Sequence, residues 1–201
     1  MLVNDTNSTL TLSKFDTSLG TLTNVWVQVE VRLTNARVEL DNDAATAQNG
    51  TGRVWNTANS LTSTVTLLKT DFDSINKGDL AINTTQVFAL DATTGDDTDV
   101  FNATGLGDYA DWQPGTLTAG DSGDIASAVW AAYQGTGNFT ITVNSTFLTT
   151  ATFLGSYGYF EGNTPTGALY GKVIYTYDAA PEPASLSLLA LGGLALLRRR
   201  K

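Results

Sequence analysis

Hydrophobic and polar residues alternate strictly along LTNVWVQVEVRL, residues 22–33. Successive side chains of an extended strand point to opposite faces, so such a segment has one aliphatic side and one mainly polar side. The aliphatic set is Val25, Val27, Val29, Val31 and Leu33, and the opposite set is Trp26, Gln28, Glu30 and Arg32. This pattern predicts a half-buried β-strand.

Similar short runs occur along the rest of the chain, as TLTLSKF, LTSTVTLL, TQVFAL, NFTITV, STFLTTATFL and KVIYTY. Polar clusters such as DNDAATAQNG and DATTGDDTD separate them and are typical of turns and loops. Many short strands without long amphipathic helices predict an all-β fold, an antiparallel β-sandwich of jelly-roll-like type. The segment DIASAVWAAYQG fits a short helix as well as a strand, because Ile125, Val129 and Tyr133 recur at a spacing of four.

The C-terminal residues have a different character. Pro181, Glu182 and Pro183 precede an apolar run and then a basic cluster. The run contains Ala184, Leu186, Leu188, Leu189, Leu191, Leu194, Leu196 and Leu197, and the cluster is Arg198, Arg199, Arg200 and Lys201. As a helix, residues 181–197 would measure about 25 Å, enough for a single short transmembrane helix. The sequence thus predicts a β-sandwich domain over residues 1–178 and a membrane-anchor segment over residues 179–201.

Charge is divided between these two parts. Of the 20 acidic residues, 19 precede Pro181, and of the 11 basic residues, 7 do, which gives net charges of −12 before Pro181 and +3 after it. An acidic body repels phosphate backbones, so we expect no binding to nucleic acid. The chain contains no His and no Cys, which excludes Ser-His-Asp and Cys-His catalysts.

The basic cluster also predicts an orientation. Arg and Lys that follow an apolar span stay in the cytoplasm, which places the acidic body outside. Translocation of the body needs an export signal, and MLVNDTNSTL has neither a basic nor an apolar signal region. We therefore expect a signal peptide upstream of Met1.

The order Pro181-Glu182-Pro183, apolar span and basic cluster closely resembles the PEP-CTERM sorting signal of Gram-negative bacteria. This resemblance implies transit through the inner membrane, processing by an exosortase, and delivery to the cell surface or the extracellular polymer matrix. The domain itself resembles the choice-of-anchor E domain, a β-rich extracellular module. The features that carry this second resemblance are Phe15, Leu19, Gly20, Leu22 and Tyr175-Thr176-Tyr177, which look like strand and turn determinants.

Acidic residues suggest two candidate chemistries. Asp91, Asp96, Asp97 and Asp99 offer the oxygen ligands that Ca²⁺ prefers, but a solvated acidic loop explains them better, and the chain lacks EF-hand spacing. Glu39, Asp108 and Glu161 are candidates for a glycosidase pair, which needs two carboxylates at a set separation.

Two other features have competing interpretations. In GDYADWQPG, Tyr109 and Trp112 are candidates for an exposed pair that stacks on sugar rings, whereas core packing is the alternative. The segment GDSGD around Ser122 matches part of a serine-protease motif, but without a histidine base a tight turn explains it better.

Together these observations predict an exported, non-enzymatic protein of the cell surface or extracellular matrix. A carbohydrate-binding module of the exopolysaccharide matrix is the first alternative, and a cryptic hydrolase is the second.

Overall fold

A computed structural model describes residues 2–92, 107–154 and 158–180. Its secondary structure is almost entirely strand, with three short 3-10 helices that we number η1–η3. The strands are β1 (Leu2–Ser13), β2 (Gly20–Thr34), β3 (Val38–Asp41), β4 (Gln48–Ser63), β5 (Asn83–Leu90), β6 (Tyr109–Trp112), β7 (Leu117–Asp124), β8 (Asn138–Phe153), β9 (Tyr159–Gly162) and β10 (Thr166–Ala179). The helices are η1 (Thr17–Leu19), η2 (Lys77–Leu80) and η3 (Ser127–Tyr133). The predicted all-β class is confirmed.

Within the described residues, the strands form three antiparallel sheets. One sheet has the order β1-β8-β4-β5, the second β10-β2-β7 and the third β6-β3-β9. Every pairing between these strands is antiparallel. The finer assignment to a jelly-roll-like arrangement stays a prediction.

The second and third sheets are two halves of one bent layer. Strand β2 leads into β3, β6 into β7, and β9 into β10, so both sheets have the same order of three chain segments. The bends contain Asn35 at φ 58° and Gly115 at φ 74°, left-handed conformations that Gly and Asn adopt most readily. We call β10-β2-β7 the long half and β9-β3-β6 the short half.

The core lies between the four-stranded sheet and the long half. The aliphatic side of β2 is buried as predicted, with Val25, Val27 and Val29 fully inaccessible to solvent. Across the core, β8 contributes Phe139, Ile141, Val143 and Phe147. The ring of Phe147 lies so close to Gly167 of β10 that a Cβ there would be 1.9 Å from it, which shows that the two sheets pack face to face.

A bulge explains why Leu22 departs from the alternation of β2. The register passes from Thr176↔Asn24 to Tyr177↔Leu22, which leaves Thr23 as the extra residue. An extra residue in one strand shifts the following side chains to the other face. Leu22 is therefore buried together with the valines.

The structure decides an open expectation for one segment and contradicts the expectation for another. The segment 124–135, for which helix and strand were both open, contains η3, and Trp130 there donates its indole N–H to the carbonyl of Ile125 at 2.8 Å. The turn predicted for GDSGD is wrong, because Gly120–Asp124 lies within β7 and pairs with β2. Pairing with a long neighbouring strand outweighs the turn preference of Gly and Asp.

Candidate functional site

Charged side chains converge on the outer face of the short half. Glu39 lies on the central strand β3, opposite Asp111 of β6 on one side and Glu161 of β9 on the other. Residues in register on neighbouring strands share a face, so these three carboxyl groups form one row. We call this set, with Arg37 and Tyr109, the carboxylate face.

Arg37 links two of the three carboxylates. Its Nε lies 3.0 Å from Oδ1 of Asp111 and its Nη2 lies 3.1 Å from Oδ2, a bidentate pair. The same Nη2 lies 3.0 Å from Oε1 of Glu39. Tyr109 donates its hydroxyl to that Oε1 at 2.5 Å. Glu39 is thus buried with both a cation and a hydroxyl donor beside it, as a buried carboxylate requires.

This network shifts the pKa values of its members. The hydrogen bonds from the Arg37 guanidinium lower the pKa of Asp111, and those same bonds raise the pKa of Arg37. Burial, followed by the hydrogen bond to Glu39, raises the pKa of the Tyr109 hydroxyl. The arrangement holds the ions of Arg37 and Asp111 in their charged forms and keeps Tyr109 protonated.

Sequence reasoning did not identify Arg37 or Asp111. Arg37 and Glu39 are two positions apart, which places them on the same face of an extended chain. That spacing was a usable signal, but their partner Asp111 is 74 residues away from Arg37. Arg37 and Asp111 come together only because β3 pairs with β6.

The structure brings together two of the three glycosidase candidates. Glu39 and Glu161 are direct cross-strand neighbours, whereas Asp108 is buried and its carbonyl accepts a hydrogen bond from the backbone of Asn42 at 3.0 Å. Glu161 is exposed on the open face of the short half. A cavity of about 430 Å³ lies elsewhere, lined by residues that include Leu61, Ile75 and Lys77.

Tyr109 and Trp112 do not form one flat patch. They are three positions apart on β6, so they point to opposite faces of the short half. Tyr109 belongs to the carboxylate face. Trp112 packs inward, with its ring centroid 6.4 Å from that of Phe88. This arrangement does not support a joint stacking role for the two residues.

Of the four calcium candidates, only Asp91 lies among the described residues, and Asp96, Asp97 and Asp99 lie outside them. The backbone carbonyl of Asp91 accepts a hydrogen bond from the side-chain amide of Asn42 at 2.6 Å. Within residues 2–92, 107–154 and 158–180, no group of three or more acidic side chains is arranged to hold a metal ion. The calcium site stays a prediction.

Aromatic residues close the opposite end of the sandwich, where β10 ends. Phe15 is buried, and its ring centroid lies 5.7 Å from that of Tyr175 and 5.1 Å from that of Tyr177. The Tyr175 hydroxyl donates to the carbonyl of Ser13 at 2.8 Å, and burial raises the pKa of Tyr175 to about 12. The residues noted for the choice-of-anchor E resemblance therefore meet at this end.

At this end, the pairing of β10 with β2 continues to the last residues of β10. Ala179 pairs with Gly20, and the N–H of Ala180 donates to the carbonyl of Leu19 at 2.9 Å. We call η1, Gly20 and residues 177–180 the sheet exit. The predicted sorting motif, transmembrane run and basic cluster, residues 181–201, lie outside the described residues. No helix in the part of the chain that the structure describes is long and apolar enough to cross a membrane.

Comparison with known proteins identifies the C-terminal segment. Residues 179–201 match the family model described as the PEP-CTERM protein-sorting motif. Searches of curated proteins and of solved structures found no match to the chain, and the resemblance to the choice-of-anchor E domain has no support from these comparisons. The motif is consistent with processing by an exosortase, and it indicates export to the cell envelope or surface of a Gram-negative bacterium.

Proposed function

We propose that this protein is a non-enzymatic structural component of the cell surface or extracellular matrix, delivered by its C-terminal segment and released or attached once an exosortase has removed that segment. The observation that carries the proposal is the PEP-CTERM match over residues 179–201, whose first residue, Ala179, is the last residue of β10. The choice-of-anchor E resemblance is a part of this proposal that rests on sequence alone.

In this proposal, the C-terminal segment holds the protein in a membrane before processing. Residues 184–197 hold the exported protein in the inner membrane for a time, with the basic cluster in the cytoplasm. The prolines of the motif separate the span from the domain, because Pro181 and Pro183 have no N–H and cannot continue a ladder of backbone hydrogen bonds.

A non-enzymatic role agrees with the chemistry of the carboxylate face. Glu39 is engaged by Arg37 and Tyr109, and Asp111 by Arg37 and Gln113. The hydrogen bond from Arg37 lowers the pKa of Asp111, whereas a general acid needs a raised pKa. These contacts suit a network that stabilises the short half.

Mass spectrometry of the protein from its native host tests the proposal. Membrane and extracellular fractions are separated and the mature C-terminus is located in each. We expect a C-terminus near Pro181 in the surface or extracellular fraction. An intact Lys201 confined to the inner-membrane fraction would mean a permanent anchor and would overturn the proposal.

Carbohydrate binding is the second candidate, and one observation favours it. Tyr159 is 49% exposed and pairs with Asp41, which pairs with Tyr109 on its other side. Tyr159 shares the open face of β9 with exposed Glu161, and an exposed aromatic ring beside a hydrogen-bonding carboxylate offers contacts that suit a sugar ring. The test is affinity electrophoresis of the native protein and a Tyr159→Ala variant in gels that contain the host exopolysaccharide. Retardation of the native protein that is lost in the variant would support this candidate, and equal migration would exclude Tyr159 as a sugar contact.

A further inference from the structure

The folded domain reaches the sorting motif without a spacer. The matched segment begins at residue 179, while Ala179 is still paired with Gly20 and Ala180 is still hydrogen-bonded to Leu19. A Cβ at position 20 would lie 1.9 Å from the carbonyl oxygen of Asp178. Gly20 permits this close pairing because it has no Cβ. The matched segment therefore begins within β10, and Ala180 is still held to η1 directly before the Pro-Glu-Pro motif.

Chain length limits how far the sheet exit can lie from the membrane. Four Cα–Cα steps separate Ala180 from Ala184, where the apolar run begins, and fully extended they span at most about 14 Å. The headgroup layer on one side of a bilayer is roughly 5–8 Å thick. An enzyme that holds Pro181, Glu182 and Pro183 at this boundary must therefore lie against the sheet exit.

Two apolar side chains are exposed at this end. Leu19 is 50% exposed and Tyr177 is 41% exposed. None of the residues of η1 is buried, so the core does not account for a leucine there. Tyr177 presents one part of its ring to Phe15 and leaves the other part accessible.

The charge of the sheet exit favours a protein over lipid. Asp178 lies in the sheet exit and Asp16 is the N-cap of η1, and the basic residues nearest to them in sequence are Lys14 and Lys172. Anionic headgroups attract basic segments and repel acidic ones. Two carboxylates beside exposed Leu and Tyr fit a protein partner that has an apolar contact and a nearby cation.

We propose that the sheet exit is a contact surface for the membrane-embedded processing enzyme, with Leu19 and Tyr177 as its apolar contacts. This inference rests on the proposed function, and it adds that the enzyme recognises the folded end of the domain together with the Pro-Glu-Pro motif. The surface belongs to the folded state, because the pairing of Tyr177 with Leu22 and the hydrogen bond from Ala180 to Leu19 hold both residues at the end of β10.

The test measures the rate of tail removal in the native host by pulse labelling of the full chain. Leu19→Glu places a charge in the proposed contact, and Val87→Glu is the matched control, because Val87 is 62% exposed on β5, outside the sheet exit. We expect Leu19→Glu to slow processing roughly fivefold or more, the effect of losing an apolar contact and burying a charge. Val87→Glu should be processed at the native rate.

A variant with a spacer tests whether the closeness of the folded domain to the Pro-Glu-Pro motif matters. Six Gly and Ser residues inserted between Ala180 and Pro181 move the folded end away from the enzyme, so native and Leu19→Glu chains with the spacer should be processed at one rate. Equal processing of Leu19→Glu and Val87→Glu, or a Leu19→Glu defect that persists with the spacer, would overturn the inference. If the native chain is never processed, the proposed function itself fails.

A lipid contact is distinguished by vesicles of phosphatidylethanolamine and phosphatidylglycerol without the enzyme. Leu19→Glu chains that retain their tail should co-sediment with these vesicles as well as native chains do. A loss of co-sedimentation that matches the loss of processing would assign the surface to lipid and overturn the inference. Circular dichroism melting of both Glu variants confirms that they are folded.

Discussion

The two halves of the bent layer contain the same three chain segments in the same order, yet they are held in different ways. The long half buries the continuous aliphatic side of β2 against β8. The short half has four-residue strands, and its central strand buries Glu39 and Asp41 as well as Val38 and Leu40. Its outer face carries the network of Arg37, Glu39, Asp111 and Tyr109.

This difference shows how strand length affects the source of stability. A long alternating strand buries enough apolar surface to hold a sheet through the hydrophobic effect alone. A four-residue strand offers two inward side chains, so cross-strand polar contacts contribute a larger share. The long half should therefore be sensitive to lost volume, and the short half to lost hydrogen bonds and to pH.

The largest effect is expected in the long half. Leu33 is fully buried on β2, and Leu33→Ala should lower the free energy of unfolding by about 2–5 kcal/mol, because it removes apolar contacts and leaves a cavity. Urea unfolding followed by tryptophan fluorescence measures the change. Thr34→Ala, at a half-buried position beside it, should stay within about 1 kcal/mol of the native protein. Equal effects of the two substitutions would contradict volume-dependent stability in this half.

A smaller effect is expected in the short half. Tyr109→Phe removes the hydroxyl that donates to buried Glu39, and we expect a loss of about 1–2 kcal/mol, because a buried acceptor loses one donor. Tyr159→Phe on the same face should change stability by less than about 0.5 kcal/mol, since Tyr159 is half exposed. The same urea titration measures both. If Tyr109→Phe is as stable as the native protein, the network does not stabilise this half.

The smallest effect concerns acid. The pKa of Asp111 is lowered in the folded protein from its usual 3.8, so its contribution to stability is present above about pH 4 and is lost as pH falls through the folded value. Asp111→Asn should make stability depend less on pH in this range. Urea midpoints measured from about pH 2.5 to pH 6 test this. Identical acid dependence in variant and native protein would show that the Arg37–Asp111 pair does not contribute.

Prediction from sequence succeeded where the pattern was long and local. The alternation of β2 predicted its buried side correctly, and the apolar runs indicated β5, β8, β10 and the end of β1. Strand β7 and most of β4 were missed, and the run LTSTVTLL overlaps β4 only at residues 61–63. The three strands of the short half were missed, because four residues do not establish an alternation. Glu39 and Glu161 were candidates that the sequence could not pair, and Arg37 and Asp111 were missed, since only the pairing of distant strands brings those residues together.

The sequence by itself determined the all-β class, the strict alternation of β2 and the PEP-CTERM segment, because each depends on the order of neighbouring residues. Tertiary structure alone decided that the second layer bends at Asn35 and Gly115, that Tyr109 and Trp112 point to opposite faces, and that Ala180 remains bonded to Leu19. These features depend on which distant strands pair and in which register. Register depends on packing across the whole core, and no local pattern of residues contains that information.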